Sequence, residues 1–234
     1  MKSIILASVL AAASALAAYA AEPAEYRLEV QDFSELKVTD GINVDYCCSA
    51  DSAGWVYFTT SPEIAQNLLF SNNKACLTIQ LAEIPDTTTQ LPVIKVYSST
   101  LGKVENSGDS TLRVVSAMPV PSFKARLVGN GTLIVRQIRA TSVDAGITTG
   151  CGHLVISGTA ARTKLTNVGT GPLEAGALKS QRVKVMAFGT GAIDCCATES
   201  LSVYGAGSCT VHYDGNPEKI TNRSIGVKLV EIGQ

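Results

Sequence analysis

Residues 128–193 read VGNGTLIVRQIRATSVDAGITTGCGHLVISGTAARTKLTNVGTGPLEAGALKSQRVKVMAFGTGAI. Gly-x-Gly, or a close variant of it, recurs six times in and around this stretch, with its first residue at Gly108, Gly129, Gly150, Gly169, Gly189 and Gly205. These glycines are spaced by 21, 21, 19, 20 and 16 residues. A period of about 20 residues is typical of repeat architectures, in which each unit packs against the next.

Apolar residues alternate with others after each of these glycines. Positions four and six residues past the first glycine are apolar or Cys in all copies: Leu112, Val114, Leu133, Val135, Leu154, Ile156, Leu173, Ala175, Ile193, Cys195, Cys209 and Val211. Another inward row is expected four residues before the glycines, at Val104, Ala125, Gly146, Leu165, Val185 and Leu201. A period of two indicates strands with one buried face, and so short a unit buries that face only by stacking on its neighbours. The pattern predicts an all-β fold, a right-handed parallel β-helix with coils of about 20 residues and Gly-x-Gly corners.

The rest of the chain divides around this repeat. Residues 1–20 combine Lys2, an apolar run and the small residues of Ala18-Tyr19-Ala20, which predicts a cleaved signal peptide and export to the periplasm or cell exterior. The apolar run is too short to span a bilayer. We expect residues 21–234 to form one domain, with N-terminal strands and a cap at 21–100, repeats at 101–214 and a C-terminal cap at 215–234. Residues 62–69 are expected to form a short helix, with Ser61 as its N-cap.

Composition narrows the class of protein. The 234 residues are 46% hydrophobic, which is enough for a sizeable core, and only 6% aromatic, which argues against a base-stacking nucleic-acid binder. Seven cysteines in an exported chain suggest disulfides, and their odd number leaves at least one thiol unpaired. Cys47 or Cys48 with Cys76 is the favoured bridge, whereas Cys195 and Cys209 are expected mainly to fill the core. Their spacing matches no metal-binding motif, and no cofactor is expected.

These motifs resemble a known family. Gly41-Ile42-Asn43, the Gly-x-Gly repeats and the ending VYGAGSCTVHYDGNP at residues 203–217 are together similar to the putative auto-transporter adhesin head GIN domain family. The resemblance covers roughly residues 33–232. It implies an exported bacterial protein with a β-helical fold, of a kind frequent in Bacteroidetes, and the family's name suggests adhesion.

A row of cations is the candidate binding surface. Residues 101–189 carry eleven basic and four acidic groups, and the basic groups recur at fixed distances before the glycines. Lys103, Lys124, Lys164 and Lys184 stand five residues before, with Ala145 at that position in the third copy; Arg162 and Arg182 stand seven before, and Arg126 three before. Stacked coils would bring like charges close together, and an anionic partner would relieve their repulsion. The alternative is that these residues only keep an exposed sheet soluble.

Two carboxylates support the competing hypothesis that the protein is an enzyme. Glu174 and Asp194 share the position five past the glycine in consecutive copies, about 5 Å apart, a separation also found in retaining glycosidases. His153 and His212 fall at different positions and are not expected to share a metal or a catalytic triad.

We therefore predict a non-catalytic, adhesin-like binding module of the cell envelope or surface. Its expected partner is an acidic surface glycan or an envelope protein, and not nucleic acid. The alternatives are a carbohydrate-active enzyme or a structural scaffold without a ligand, and two molecules could stack through their coil ends.

Overall fold

The computed structural model describes residues 22–83 and 90–232, so the predicted signal peptide lies outside the described residues. The described chain is a parallel β-solenoid of about six turns with coils roughly 20 residues apart, which confirms the predicted solenoid. Its elements are β1 (Ala24–Glu29), β2 (Glu35–Val38), β3 (Asn43–Cys48), β4 (Trp55–Thr60), α1 (Pro62–Asn67), β5 (Leu68–Asn73), β6 (Cys76–Leu81), β7 (Val93–Ser98), β8 (Lys103–Asn106), β9 (Thr111–Ser116), β10 (Val120–Val128), β11 (Thr132–Thr149), β12 (His153–Asn167), β13 (Leu173–Ala187), β14 (Ile193–Ala206), β15 (Thr210–Asp214), β16 (Lys219–Ile225) and β17 (Lys228–Glu231).

The long strands form the centre of the solenoid. Each of β10 to β13 pairs in parallel with the next strand along the chain, so equivalent residues of successive coils lie side by side. Leu133 lies beside Leu154, which lies beside Leu173, and all three are fully buried. The inward rows therefore merge into one continuous hydrophobic core, as the period of two predicts.

Corner glycines allow the coils to approach each other closely. A Cβ added to Gly171 would lie 1.8 Å from the carbonyl oxygen of Gly152, and one added to Gly191 would lie 2.0 Å from that of Gly171. Real Cβ atoms do not approach a carbonyl oxygen so closely, so these positions exclude every residue with a side chain.

The glycine spacing gives the wrong register in two coils. A β-bulge in β11 adds one residue between Ile147 and the corner, so Ala145 and not Gly146 continues the inward row. The coil that follows β13 is two residues shorter, and Gly207 rather than Gly205 stacks on Gly189. The buried row before the corner consequently continues through Val203 instead of Leu201, and the row of Ile193 after the corner continues through Val211 instead of Cys209. Counting a fixed number of residues from the glycine assigns the wrong residue to a row wherever a coil gains or loses residues before its corner.

The N-terminal region begins the stack and caps it. Strands β2 and β3 pair in parallel with β8 and β9 on one side and with β6 and β7 on the other. The cap strands break this pattern, because β1 pairs with β4 and β5 pairs with β6 in antiparallel fashion. The predicted helix is present at Pro62–Asn67, with Pro62 in its first turn, but Ser61 makes no side-chain capping bond.

The inward rows of the C-terminal coil are partly open to water. Ile220 and Asn222 of β16 continue the rows of Leu201 and Val203 in the preceding coil. Asn222 places a polar side chain at this end of the solenoid, whereas Ile220 and Ile225 remain exposed. Association of two molecules through this end stays a prediction.

All seven cysteines carry free thiols. The expected bridge to Cys76 is wrong, because β3, which carries Cys47 and Cys48, pairs with β7 and β9, whereas β6, which carries Cys76, pairs with β2 and β5. Cys195 and Cys209 fill the core as expected.

We expect thiol labelling to separate these cysteines. Cys151 is exposed, whereas burial raises the pKa of Cys195 to about 12, and burial also raises the pKa of Cys209. Because the thiolate is the reactive form and Cys195 is buried, iodoacetamide at pH 8 should modify Cys151 at least about tenfold faster than Cys195 in the folded protein. Mass spectrometry of digested samples measures this ratio, and labelling in denaturant is the control. Comparable rates at the two sites in the folded state would contradict the burial of Cys195.

Candidate binding surface

The predicted cations all lie on the outer side of one face of the solenoid. Ladder pairing aligns them in columns that run across the coils. The main column reads Glu35, Lys103, Lys124, Asp144, Lys164 and Lys184. Arg162 lies beside Arg182 in a second column, and Arg126 belongs to a third. The bulge in β11 places Asp144 where the glycine spacing predicts Ala145, so the row of cations is interrupted by an acid.

Carboxylates neutralise the N-terminal part of this surface. The Nζ of Lys103 lies 3.0 Å from the Oε2 of Glu35, and this hydrogen bond raises the pKa of Lys103. Arg126 donates to Asp144 across 2.9 Å. Lys103 and Arg126 of the predicted row of cations therefore each have an opposite charge on a neighbouring strand.

Four cations at the C-terminal part form what we call the cationic grid: Arg162 and Lys164 on β12, and Arg182 and Lys184 on β13. Arg162 is paired in register with Arg182, and Lys164 with Lys184, at a strand spacing of about 4.8 Å. Arg182 reaches Glu199 at 3.7 Å, but both side chains are more than half exposed, so this ion pair is weak. Lys184 lies over the ring of Tyr204, 5.0 Å from its centroid.

The grid is an unfavourable arrangement for the isolated protein. Like charges directly opposite each other on neighbouring strands repel, and no carboxylate of the described residues lies between Lys164 and Lys184. An anion placed over the grid would face four positive charges at once. Lys124 lies outside it, on the far side of Asp144.

A second polar cluster lies on another outer face. Glu174 is paired in register with Asp194, as the sequence predicts, and Asp194 with His212. The Nδ1 of His212 lies 2.9 Å from a carboxylate oxygen of Asp194, and the Nε2 of His153 lies 2.9 Å from one of Glu174. Glu174, Asp194 and His212 therefore form one row. His153 lies two residues before Val155, the register neighbour of Glu174, and reaches Glu174 diagonally, so each carboxylate has its own imidazole.

Sequence reasoning missed this row because of the shifted corner. Counted from Gly205, His212 is seven residues past the glycine, whereas counted from Gly207 it is five past and shares the column of Glu174 and Asp194. The sequence does contain a signal for this shift, because the spacing of 16 residues between Gly189 and Gly205 is shorter than the other spacings. Among residues 22–83 and 90–232, no group of three or more potential ligands is placed to hold a metal ion.

No helix within the described part of the chain is long and apolar enough to cross a membrane.

Comparisons with known proteins agree with this architecture. A family model described as "Putative auto-transporter adhesin, head GIN domain" matches residues 32–217. No curated protein matches the chain.

Several crystal structures share the fold. A putative adhesin from Bacteroides fragilis is 19% identical, with a TM-score of 0.76 over 90% of this chain and 96% of that one. A putative adhesin from Parabacteroides distasonis is also 19% identical, with a TM-score of 0.72 over 90% and 97% of the two chains. A putative lipid binding protein from the same species is 18% identical, with a TM-score of 0.67 over 91% and 97%.

Proposed function

Because this chain belongs to the putative auto-transporter adhesin, head GIN domain family, we propose that it is an exported, non-catalytic binding module of the cell envelope or surface, and that its cationic grid binds an acidic glycan. The single observation that carries the glycan assignment is the grid itself. Arg162, Lys164, Arg182 and Lys184 project from two adjacent strands without strong partners on the protein.

The spacing of the grid suits an extended polyanion. Cations about 4.8 Å apart across the strands match a ligand that presents repeated carboxylates or sulfates. Each contact between an exposed cation and such a group strengthens binding modestly. Arginine can bind a carboxylate through two parallel hydrogen bonds, whereas lysine acts as a point charge. A chain of acidic sugars would therefore gain from several weak contacts at once.

Export is supported by the pattern of residues 1–20, which has the charge, apolar run and small residues of a signal peptide. The signal peptide, and a single domain over residues 21–234, are parts of this proposal. One similar structure is described as a putative lipid binding protein, so vesicles with anionic headgroups are a useful comparison ligand.

The test is binding of residues 21–234 to immobilised polygalacturonate. We expect Arg162→Ala/Lys164→Ala/Lys184→Ala to raise the Kd about tenfold at 50 mM NaCl, because three contacts of about 0.5 kcal/mol each are removed. Binding of the parent protein should weaken as the salt concentration rises to 300 mM.

The matched control is Arg136→Ala/Lys179→Ala/Lys228→Ala, which removes the same number of positive charges from exposed positions outside the grid. Equal weakening of both variants would show that only net charge matters, and an unchanged Kd in the grid variant would refute the proposal. Release of reducing ends from the polysaccharide, lost in Glu174→Gln, would favour the enzyme alternative. Absence of binding to every glycan and vesicle tested would favour the scaffold.

A further inference from the structure

A tyrosine between two cations occupies the outer face of the N-terminal sheet. The ladders place Arg27 of β1 beside Tyr57 of β4, and Tyr57 beside Lys95 of β7, so the three side chains form one row on the same side of the sheet. Lys95 and Arg27 are exposed, and Tyr57 is half-buried. The row lies on β1, β4 and β7, whereas the cationic grid lies on β12 and β13.

Neither cation of the row is used in an ion pair with the described residues. Asp45 is the register neighbour of Lys95 on its other side, but its carboxylate is bound by Arg113 at 2.7 Å. Arg27 instead stacks on Trp55, with its guanidinium carbon 3.8 Å from that ring centroid, and lies 5.6 Å from the ring centroid of Tyr57. This stacking orients the guanidinium and leaves its N–H groups available to an incoming acceptor.

The row borders a cleft where two strands separate. The ladder between β4 and β7 ends at Tyr57 and Lys95, although β4 continues to Thr60 and β7 begins at Val93. A cleft of about 380 Å³ is present here, lined by Tyr57 and Lys95 together with Tyr26, Phe58, Val93 and Glu25. Its size lies within the range of small-molecule sites, which is about 300–1,000 Å³.

The lining combines aromatic and charged groups. Tyr26 and Phe58 stack with their centroids 5.1 Å apart on the core side of the sheet, which holds β1 and β4 together beneath the cleft. Tyr57 packs edge-on against Tyr97 at 5.6 Å, which restrains its ring. The ring of Tyr57 lies on the same side of the sheet as Lys95 and offers a surface for the apolar C–H face of a sugar ring, while Lys95 and Glu25 present a donor and an acceptor to its polar groups.

We propose that this cleft binds one carboxylated pyranose residue, a uronic acid, of a glycan. The sugar ring packs against Tyr57, and its carboxylate lies between the ammonium of Lys95 and the guanidinium of Arg27. The two free cations select a carboxylated sugar over a neutral one. Glu25 accepts hydrogen bonds from the sugar hydroxyls. This site does not depend on the cationic grid, because it shares no residue with it.

Trp55 provides a direct readout, since it is the single tryptophan of the chain and stacks on Arg27. Titration of residues 21–234 with trigalacturonate at 50 mM NaCl should change the tryptophan emission with saturation. We expect Lys95→Gln to weaken binding at least tenfold, because a charge-assisted contact is lost, and Tyr57→Ala to weaken it to a similar degree. Calorimetry with the same ligand gives an independent Kd, and thermal melts check that each variant is folded.

The controls separate this site from the proposed function. Lys228→Gln removes one exposed charge elsewhere and should leave the Kd unchanged, and the triple alanine variant of the grid should retain the saturable change in tryptophan emission, because Trp55 stacks on Arg27 and not on a grid residue. Neutral galactotriose should bind at least tenfold more weakly than trigalacturonate. The proposal is overturned if galactotriose binds equally well, if folded Lys95→Gln retains the parent affinity, or if neither emission nor heat changes at 10 mM ligand. Loss of binding only in the grid variant would also overturn it and would leave the grid proposal standing.

Discussion

The substitution Gly171→Ala should lower the free energy of unfolding by about 3 kcal/mol, the upper part of the usual range for overpacking a rigid site. The new Cβ would lie 1.8 Å from the carbonyl oxygen of Gly152 and 2.6 Å from the carbonyl carbon of Cys151. Both are backbone atoms of the preceding coil, so no side chain can rotate away, and the coils must move apart. Urea unfolding followed by circular dichroism measures the change.

The matched control is Gly176→Ala, in the strand that follows the same corner. A Cβ there would meet only the Cβ of Asp194 at 3.7 Å, which is an ordinary contact. We expect this variant to be neutral or to stabilise the protein by up to about 1 kcal/mol, because alanine reduces the entropy of the unfolded chain. Equal stabilities of the two variants would mean that the corners do not hold the coils at the observed distance.

Loss of the Asn106 side chain should have the next largest effect on the free energy of unfolding. Asn106 is fully buried, and its Nδ2 donates to the carbonyls of Ser110 at 2.9 Å and Thr132 at 3.0 Å. Its Oδ1 accepts a hydrogen bond from the N–H of Gly108. Asn106→Ala removes all three hydrogen bonds, and although the carbonyl of Ser110 still accepts from the N–H of Thr132, the N–H of Gly108 loses its side-chain partner. We therefore expect the free energy of unfolding to fall by about 2 kcal/mol.

Asn130→Ala is the comparison, because Asn130 lies at a corner but is exposed to water, which can replace its hydrogen bonds. Asn130→Ala should lower the free energy of unfolding by less than about 1 kcal/mol. The same urea titration distinguishes the two variants. If Asn106→Ala proved as mild as Asn130→Ala, the asparagine would not be needed to close this corner, which lacks the second glycine of the motif.

The solenoid could be predicted from local patterns because its determinants are local. A strand with a period of two and a corner that excludes a Cβ are properties of a few neighbouring residues, and they recur in almost every coil. The core positions Leu133, Leu154 and Leu173 follow from the same pattern. Both caps depend less on the repeat, and the antiparallel pairs β1–β4 and β5–β6 have no counterpart in it.

The candidate sites depend on neighbours that the sequence does not place together. Asp144 enters the cationic column because one residue is added in β11, and His212 joins Glu174 and Asp194 because one coil is two residues shorter. Each change involves only one or two residues of the sequence. It nevertheless shifts which residues of adjacent coils lie side by side. The row of Arg27, Tyr57 and Lys95 joins three strands that are far apart in the chain.

The amino-acid sequence by itself therefore determined the solenoid, its corners and most of its inward rows, because backbone sterics and the alternation of apolar residues act within one coil. Only the tertiary structure decided which charges are neutralised, which remain free and which aromatic rings border a cleft. Those properties depend on the lateral register between strands, and the register is set by hydrogen bonding across the whole stack.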